Sequence, residues 1–553
     1  MTHVPAIITE RPATVLAPER VPRRAASERE RLATFAVIAV PCAIAAALAF
    51  YEITARSLWL DEAASVAIAS QHGVALWHSM EHDGGNMLAY YAFLHAVLRL
   101  FGDSALVIRF ASAAATAGTA ALVSLLAARL FGRREALAAG LLTGVSLTLV
   151  YWGQDARSYA LMVTFITASF LSFVALVDRE PQLPASRWVW FAYVATTVLA
   201  AYMSFEALLI VAAQLLSLVW HRRPGRAVIS AMAVAVVCSL PLLVLAQRRG
   251  SGQLFWVPKP DLPQFHQMFE ALLSAGLQPN FHLTGTATPL LLFSGVLTIL
   301  AAVAIVAPLA GARRDRSGPI LAQLVEGERE RQASWPHMLV LCWLVVPVIL
   351  AVLESYLVQP ITLPRAALIS LPATSLLLAW VTVGHRAPRV LGWCTIAVLL
   401  ALRALQLAPT YGASPENWRA ASAHVLAAAR RGDCIAFYPA DGRQAFSYYI
   451  GTGTPAAARA PRSVLPAVPW SLTKPFVEDY ASPSSAGLSR IESGCARLWF
   501  VSSHRGQKHG PVASRSDYER YAALLGSLTR AYAHHRTVSY GWASPVRLEL
   551  FSR

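Results

Sequence analysis

Long apolar runs constrain this chain more than any other feature of its sequence. Nearly every run between Phe35 and Leu407 has the length of about 17–22 residues that an α-helix needs to cross a bilayer. The runs are rich in Ala, Leu and Val on all sides and lack the alternation of barrel strands. Only 14% of the residues are charged, against about 25% in soluble domains. We therefore expect a multi-span α-helical membrane protein.

The hydrophobic pattern predicts about 11 transmembrane helices. Arginines before the first span and after the second, sixth, eighth and tenth all fall on one side, which the positive-inside rule assigns to the cytoplasm. Because they lie in short loops, the net charge of +16 does not predict nucleic-acid binding. An odd number of spans places the C-terminal end outside the cytoplasm, with the protein in the inner or plasma membrane. The predicted spans are 34–52, 105–128, 135–152, 157–177, 188–203, 205–220, 227–246, 289–310, 336–357, 366–383 and 390–408.

Composition divides the chain into three parts. Residues 1–33 are polar and Arg-rich, and we expect a disordered cytoplasmic tail without a cleavable signal peptide. Residues 34–408 form the predicted transmembrane domain, with a long external loop at 53–104. Residues 409–553 predict an extracytoplasmic α/β domain, because a helical pattern is followed by strand-like runs. These elements are a helix at Asn417–Arg430 and strands at Cys434–Tyr438, Arg497–Ser502 and Val546–Phe551.

Two segments leave alternatives open. Met87–Phe101 is apolar but only about 22 Å long as a helix, and counting it as a span would put Arg133 and Arg134 outside. We expect an interfacial helix on the outer membrane surface, with a short tilted span as the alternative. Cys434 starts one predicted strand and Cys495 precedes another. If these strands are parallel neighbours, a disulfide is feasible in an oxidising compartment; otherwise both cysteines are unpaired.

Two acidic elements fall in external segments. Asp61 and Glu62 follow the first span closely, where ionisable groups are costly unless paired or used. A carboxylate there can act as a general base or bind a divalent cation, or Asp61 is simply a helix N-cap. Asp155 and Arg157 lie in the next external turn, and a guanidinium suits phosphate oxygens. The alternative is an Asp–Arg pair that holds two helices together.

The order and spacing of these elements resemble the GT-C superfamily of membrane glycosyltransferases. The likeness is greatest to the group of the protein O-mannosyltransferases and the bacterial lipid A aminoarabinose transferase, and it covers most of residues 50–430. The segments that carry it are Trp59-Leu60-Asp61-Glu62, Gly85–Tyr91 with His95 and Phe101–Ser104, Arg109-Phe110-Ala111-Ser112, Gly153–Leu161, Pro364-Arg365 with Leu371-Pro372, and Glu416–Ala421.

This resemblance implies a polyprenyl-phosphate sugar as the donor and an extracytoplasmic lipid, glycan or protein hydroxyl as the acceptor. It implies single-step inverting transfer, with Asp61 as general base and with Glu62 and Asp155 as further catalytic residues. Arg157 and Arg365 are expected to neutralise the phosphate leaving group. The residues expected to contact substrates are His82, Asp83, Tyr90, Tyr91, Tyr159 and Glu206. Some relatives bind a divalent metal ion, for which Asp61 and Asp155 are the candidate ligands.

Two weaker interpretations remain. The segment from His78 to Asp83 carries His, Glu and Asp at helical spacing, which is compatible with zinc but more typical of a solvated loop. A polytopic transporter or flippase of lipid-linked sugars also has many spans and intramembrane carboxylates. Transporters commonly show internal repeats and mid-bilayer sites, whereas here the ionisable residues gather at one surface.

Overall fold

The computed structural model describes most of the chain. A helical part runs from residue 28 to residue 410, and a part with a single sheet follows it. The described residues are 28–178, 187–221, 225–249, 257–276, 286–311, 320–384, 388–451, 459–470, 475, 483–510 and 512–553. The predicted tail 1–33 therefore lies almost entirely outside them.

Eight helices in the described residues are long and apolar enough to cross a bilayer. Their apolar composition on all sides leaves many large side chains exposed, as expected of surfaces that face lipid. These helices are α1 (Glu28–Phe50), α5 (Ala105–Leu130), α8 (Tyr159–Val177), α11 (Arg226–Arg249), α13 (Ala287–Gly311), α14 (Ile320–Leu357), α15 (Leu371–Val383, extended at its start by the 3₁₀-helix Pro364–Ser370) and α16 (Arg389–Leu407, followed by the 3₁₀-helix Ala408–Thr410).

A bent pair of helices accounts for a ninth span if it is counted as one. Helices α6 (Arg133–Gly144) and α7 (Leu147–Gly153) meet at 55°. The bend occurs where the Ser146 side chain accepts a hydrogen bond from the Leu149 N–H at 3.3 Å and so caps α7 separately. The α7 helix then ends just before the second acidic element.

Helices occupy all eleven predicted spans, which confirms the multi-span helical architecture. Two of them are shorter than the other nine: α9 (Arg187–Met203), with 17 residues, and the run Phe205–Trp220. This run consists of the 3₁₀-helix Phe205–Leu208, α10 (Leu209–Ser217) and the 3₁₀-helix Leu218–Trp220. The direction in which the helices cross the membrane stays a prediction.

Helices also form in the segments predicted to lie between spans. The loop 53–104 folds into α2 (Leu60–Ala69), α3 (Gly73–His82) and α4 (Leu88–Phe101). Helix α4 covers the segment predicted to be interfacial. It buries Tyr90, Tyr91 and Leu94, whereas its final residues Leu100 and Phe101 are exposed. A further helix, α12 (Leu262–Leu272), lies between α11 and α13.

The C-terminal part forms a five-stranded mixed sheet with strand order β2-β1-β3-β5-β4. Strand β1 is parallel to β2 and β3, whereas β5 is antiparallel to β3 and β4. The predicted helix and three strands are confirmed, as is the Cys434–Cys495 disulfide. The elements are α17 (Trp418–Ala428), β1 (Cys434–Tyr438), α18 (Gly442–Ile450), β2 (Arg462–Leu465), α19 (Ser485–Gly494), β3 (Arg497–Ser502), α20 (Val512–Ala531), β4 (His534–Tyr540) and β5 (Val546–Ser552).

Helix α2 lies at the junction of the two parts. Its residues Val66, Ile68 and Ala69 belong to the core of the helical bundle. Ala63, less than one turn earlier, packs instead in the core of the C-terminal part, which also contains Trp418. The helix that carries the first acidic element is therefore buried against both parts of the molecule.

Candidate active site

The first acidic element forms the beginning of α2. The helix begins at Leu60 with Trp59 at the N-cap, so Asp61 lies within the first turn and is not the cap. The Asp61 side chain is about a third exposed, at 31%. It is therefore a carboxylate that solvent or a substrate can reach.

Two arginines from different segments face the Asp61 carboxylate. Its Oδ2 atom lies 3.6 Å from Nη2 of Arg157 and 3.8 Å from Nη1 of Arg365. The Tyr159 ring lies beside both guanidinium groups, with its centroid 5.9 and 5.6 Å from their central carbons. The fold thus brings together four of the predicted site residues from three separate segments.

Glu62 forms a buried ion pair with Arg109. Arg109 donates from Nε to Oε1 at 2.7 Å and from Nη2 to Oε2 at 2.6 Å, and both side chains are 1% exposed. The Glu62 Oε1 atom also accepts the Ala156 N–H at 2.9 Å. Burial alone would raise the pKa of Glu62, but the charge and hydrogen bonds of Arg109 lower it. Glu62 therefore stays ionised and joins α2, α5 and the turn 154–158.

Asp155 lies in this same turn and is buried. Its Oδ1 atom accepts the Trp59 indole N–H at 2.8 Å, so the two acidic elements are in direct contact. Burial raises the pKa of Asp155 well above its usual range, and the negative charge of Glu62 raises it further. The neutral form of this carboxyl group is therefore favoured more than in an exposed aspartate.

Several buried polar atoms around Asp155 have no hydrogen-bond partner among the described residues. Buried polar atoms of a native protein are almost always paired with protein, water or ligand. Tyr90 lies close enough to Asp155 and Arg157 for their charges to interact. This cluster is therefore where a polar ligand or ordered water would fit. The unpaired atoms are Tyr90 Oη, Asp155 Oδ2, Arg157 Nε and Ser158 Oγ.

The remaining predicted contact residues lie at different distances from Asp61. Asp83 is buried, accepts a hydrogen bond from the Tyr91 hydroxyl at 3.0 Å, and interacts with the charges of Arg157 and Asp61. Burial raises its pKa to about 7. Glu206 is the second residue of the run after α9, and its charge interacts with those of Arg365 and Glu354. His82 is exposed at the end of α3.

The arrangement around Asp61 does not suit a divalent cation. The two guanidinium groups beside its carboxylate would repel a metal ion, and both oxygens of Glu62 are bonded to Arg109. No cluster of three or more His, Cys, Asp or Glu side chains that could hold a metal occurs among the described residues, including the segment from His78 to Asp83.

Comparison with protein families gives a match to one part of the chain. Residues 86–246, less than a third of the chain, match the family model described as dolichyl-phosphate-mannose-protein mannosyltransferase. The matched segment contains Arg109, Asp155, Arg157 and Glu206, whereas Asp61 lies outside it. None of the curated proteins compared with this sequence matches it significantly.

The fold resembles solved membrane transferases at low sequence identity. The oligosaccharyltransferase of Archaeoglobus fulgidus aligns at 12% identity over 93% of this chain and 74% of its own, with a TM-score of 0.51. ArnT from Cupriavidus metallidurans, solved with undecaprenyl phosphate, aligns at 13% identity over 92% of this chain and 97% of its own, with a TM-score of 0.40. Part of the chain thus matches a mannosyltransferase family model, and its fold resembles that of a solved oligosaccharyltransferase.

Proposed function

We propose that the protein transfers a sugar from a polyprenyl-phosphate donor to an acceptor hydroxyl on the extracytoplasmic membrane face. The single observation that carries this proposal is a half-buried carboxylate, Asp61, with the guanidinium groups of Arg157 and Arg365 beside it. A base next to two phosphate-binding groups is what transfer from a sugar phosphate needs. The family match to enzymes that use a lipid-phosphate sugar supports the same donor class.

The two contacts to Asp61 leave the arginines able to bind a second anion. At 3.6 and 3.8 Å they are longer than the 2.7–2.9 Å of a charge-assisted hydrogen bond. Arg157 Nε also has no partner among the described residues. The phosphate group of the sugar donor would accept hydrogen bonds from these guanidinium N–H groups and balance their positive charge.

The reaction then follows as a single inverting displacement. Asp61 accepts the proton of the acceptor hydroxyl while the oxygen of that hydroxyl bonds to the anomeric carbon of the sugar. The bond between that carbon and the phosphate oxygen breaks, and its electron pair leaves with the phosphate. Arg157 and Arg365 stabilise the added negative charge. We assign the unpaired polar atoms around Asp155 and Tyr90 to sugar hydroxyl groups, and Glu62 to positioning rather than proton transfer.

A panel of donors tests this function directly. Purified protein would be incubated with undecaprenyl-phosphate hexoses and pentoses, and release of undecaprenyl phosphate would be measured. Mass analysis of cell-envelope glycans from a deletion strain would then identify the acceptor. Donor release that depends on the protein supports the proposal. Transport of the intact donors across a vesicle membrane without release would favour the flippase alternative.

The arginines should control lipid-phosphate affinity. We expect Arg157→Ala to weaken binding of undecaprenyl phosphate by about 10–100-fold, because a hydrogen bond to a charged group contributes about 1.5–3 kcal/mol. Arg365→Ala should act in the same direction. Arg99→Ala is the matched control, since this exposed arginine lies in the same loop region but outside the site. Equal affinities for Arg157→Ala and Arg99→Ala would contradict the assignment.

Chelation should leave turnover unchanged. Since guanidinium groups stand where a metal ion would have to sit, we expect EDTA to change the rate by no more than about twofold. The measurement is donor release before and after dialysis against EDTA, with added Mg²⁺ or Mn²⁺ as the reverse test. If EDTA abolished donor release and either ion restored it, a metal ion would be needed to neutralise the phosphate charge.

A further inference from the structure

The C-terminal part builds much of the loop that leads to Asp61. The Arg419 guanidinium donates hydrogen bonds to the carbonyl oxygens of Thr54 and Ala55 at 2.8 and 3.1 Å. The Leu58 N–H donates to the Tyr449 hydroxyl at 2.7 Å. These bonds come from α17 and α18, so the path of the loop depends on the C-terminal part as well as on the bundle.

Glu416 acts as an external cap for α2. The first N–H groups of a helix need acceptors, and Trp59 at the N-cap offers no side-chain oxygen. Glu416 Oε2 accepts the Leu60 N–H at 3.1 Å and the Trp418 indole N–H at 2.9 Å. The carboxylate is buried, with 3% of its side chain exposed. It therefore fixes the start of the helix one residue before Asp61.

His504 holds Glu416 from the opposite side. This residue follows β3 with a φ of 44°, an uncommon backbone conformation for a non-glycine residue. Its Nε2 lies 2.6 Å from Glu416 Oε1. Burial alone would lower the pKa of His504, but the charge and hydrogen bond of Glu416 raise it to about 9, and Asp61 contributes in the same direction. Glu416 and Asp61 are the charged groups that face His504 in the described part of the chain.

We propose that Glu416 and His504 are positioning residues for Asp61, which makes the C-terminal part a component of the active site. This inference rests on the proposed function. Glu416 determines where α2 begins, and His504 holds Glu416 in place. The two residues together therefore determine the position of the Asp61 carboxylate. Displacement of a catalytic group by about 1 Å can cost about 100-fold in rate. The pair should therefore affect kcat and leave the donor phosphate site unchanged.

Three variants test the pair. We expect Glu416→Ala to lower kcat about 100-fold and Glu416→Gln, which keeps one acceptor oxygen, to lower it only about tenfold. The apparent KM for the undecaprenyl-phosphate sugar and the affinity for undecaprenyl phosphate should stay within about twofold of wild type. We expect wild-type kcat to fall as pH rises through about 9, where His504 loses its proton, and we expect His504→Gln to lack this fall.

The matched control is Asp433→Asn. Asp433 is also a buried carboxylate that accepts an indole N–H, from Trp499 at 3.0 Å, and pairs with a cation, Arg497 at 3.4 Å. It lies at the other end of β1 and β3. We expect this variant to lose stability but not kcat, so equal kcat losses in Asp433→Asn and Glu416→Ala would overturn the proposal.

Two further outcomes separate the proposals. If Asp61→Asn abolishes turnover while folded Glu416→Ala and His504→Gln keep kcat within about twofold, the positioning inference is wrong and the proposed function stands. If the wild type itself releases no undecaprenyl phosphate from any donor, the proposed function fails, whatever the variants do. If Glu416→Ala does not fold, Glu416→Gln and His504→Gln decide the matter.

Discussion

Replacing Asp61 by asparagine is expected to lower the rate of sugar transfer by about 10²–10⁴-fold, the range for loss of a positioned general base. Asparagine has nearly the same shape but cannot take the acceptor proton at neutral pH. The measurement is kcat for release of undecaprenyl phosphate in the presence of acceptor. Affinity for undecaprenyl phosphate should be kept or increased, because the variant removes a negative charge beside Arg157 and Arg365.

Asp103→Asn is the control for this experiment. Asp103 is an exposed carboxylate in the same loop region, and we expect its amide variant to behave as wild type. A transporter or flippase with a structural Asp61 would show the opposite pattern, with donor movement impaired and no donor release in any variant. Full turnover by Asp61→Asn would remove the general base from the mechanism.

The largest loss of stability is expected when the Glu62–Arg109 pair is broken. Glu62→Gln leaves the Arg109 guanidinium buried without a countercharge, which typically costs about 3–5 kcal/mol. The measurement is thermal unfolding of the purified protein in detergent, together with its yield from membranes. The lowered pKa of Glu62 has a related consequence. The ionised Glu62 contributes its full stabilisation at a pH above its pKa in the unfolded protein. This stabilisation is lost as the pH falls through the lower pKa that Glu62 has in the folded protein.

A double-mutant cycle isolates the pair. The double variant Glu62→Gln with Arg109→Gln removes both charges, so it should be more stable than the sum of the single losses predicts. Glu81→Gln is the control, because Glu81 pairs with the exposed Arg248 at 3.5 Å and the exposed His78 at 3.8 Å, and such pairs contribute about 0–1 kcal/mol. Additive losses in the cycle would mean that the two side chains act independently.

The helical architecture could be predicted from sequence because apolar length is a local property. Asp61, Asp155 and Arg157 could also be singled out, since charged groups beside membrane spans are uncommon. That these residues lie close together could be seen only in the structure, in contacts such as the hydrogen bond from Trp59 to Asp155. Arg109 lies in one of the segments that carry the family resemblance, but the sequence analysis predicts no role for it. Its signal was present, because an arginine inside an apolar run needs an acidic partner.

The parts that sequence reasoning missed depend on distant partners or weak patterns. Strand β4 is exposed along most of its length, so it has no apolar alternation to reveal it. Strand β2 has only four residues. Glu416 lies in a segment that carries the resemblance, but the sequence indicates no role for it or for His504, and only the fold brings them to the start of α2. The membrane orientation and the roles of the site residues stay predictions.

The external cap of α2 has a consequence for biosynthesis. Leu60 and its acceptor Glu416 are 356 positions apart, and His504 comes later still. A ribosome adding about 5–20 residues per second needs roughly 20–70 s to cover the first interval. During that time the nascent chain carries its aspartate on a helix whose first turn is incomplete. Under the positioning proposal, the site around Asp61 is complete only after the chain has been synthesised past His504, so we expect chains truncated before Glu416 to lack sugar-transfer activity.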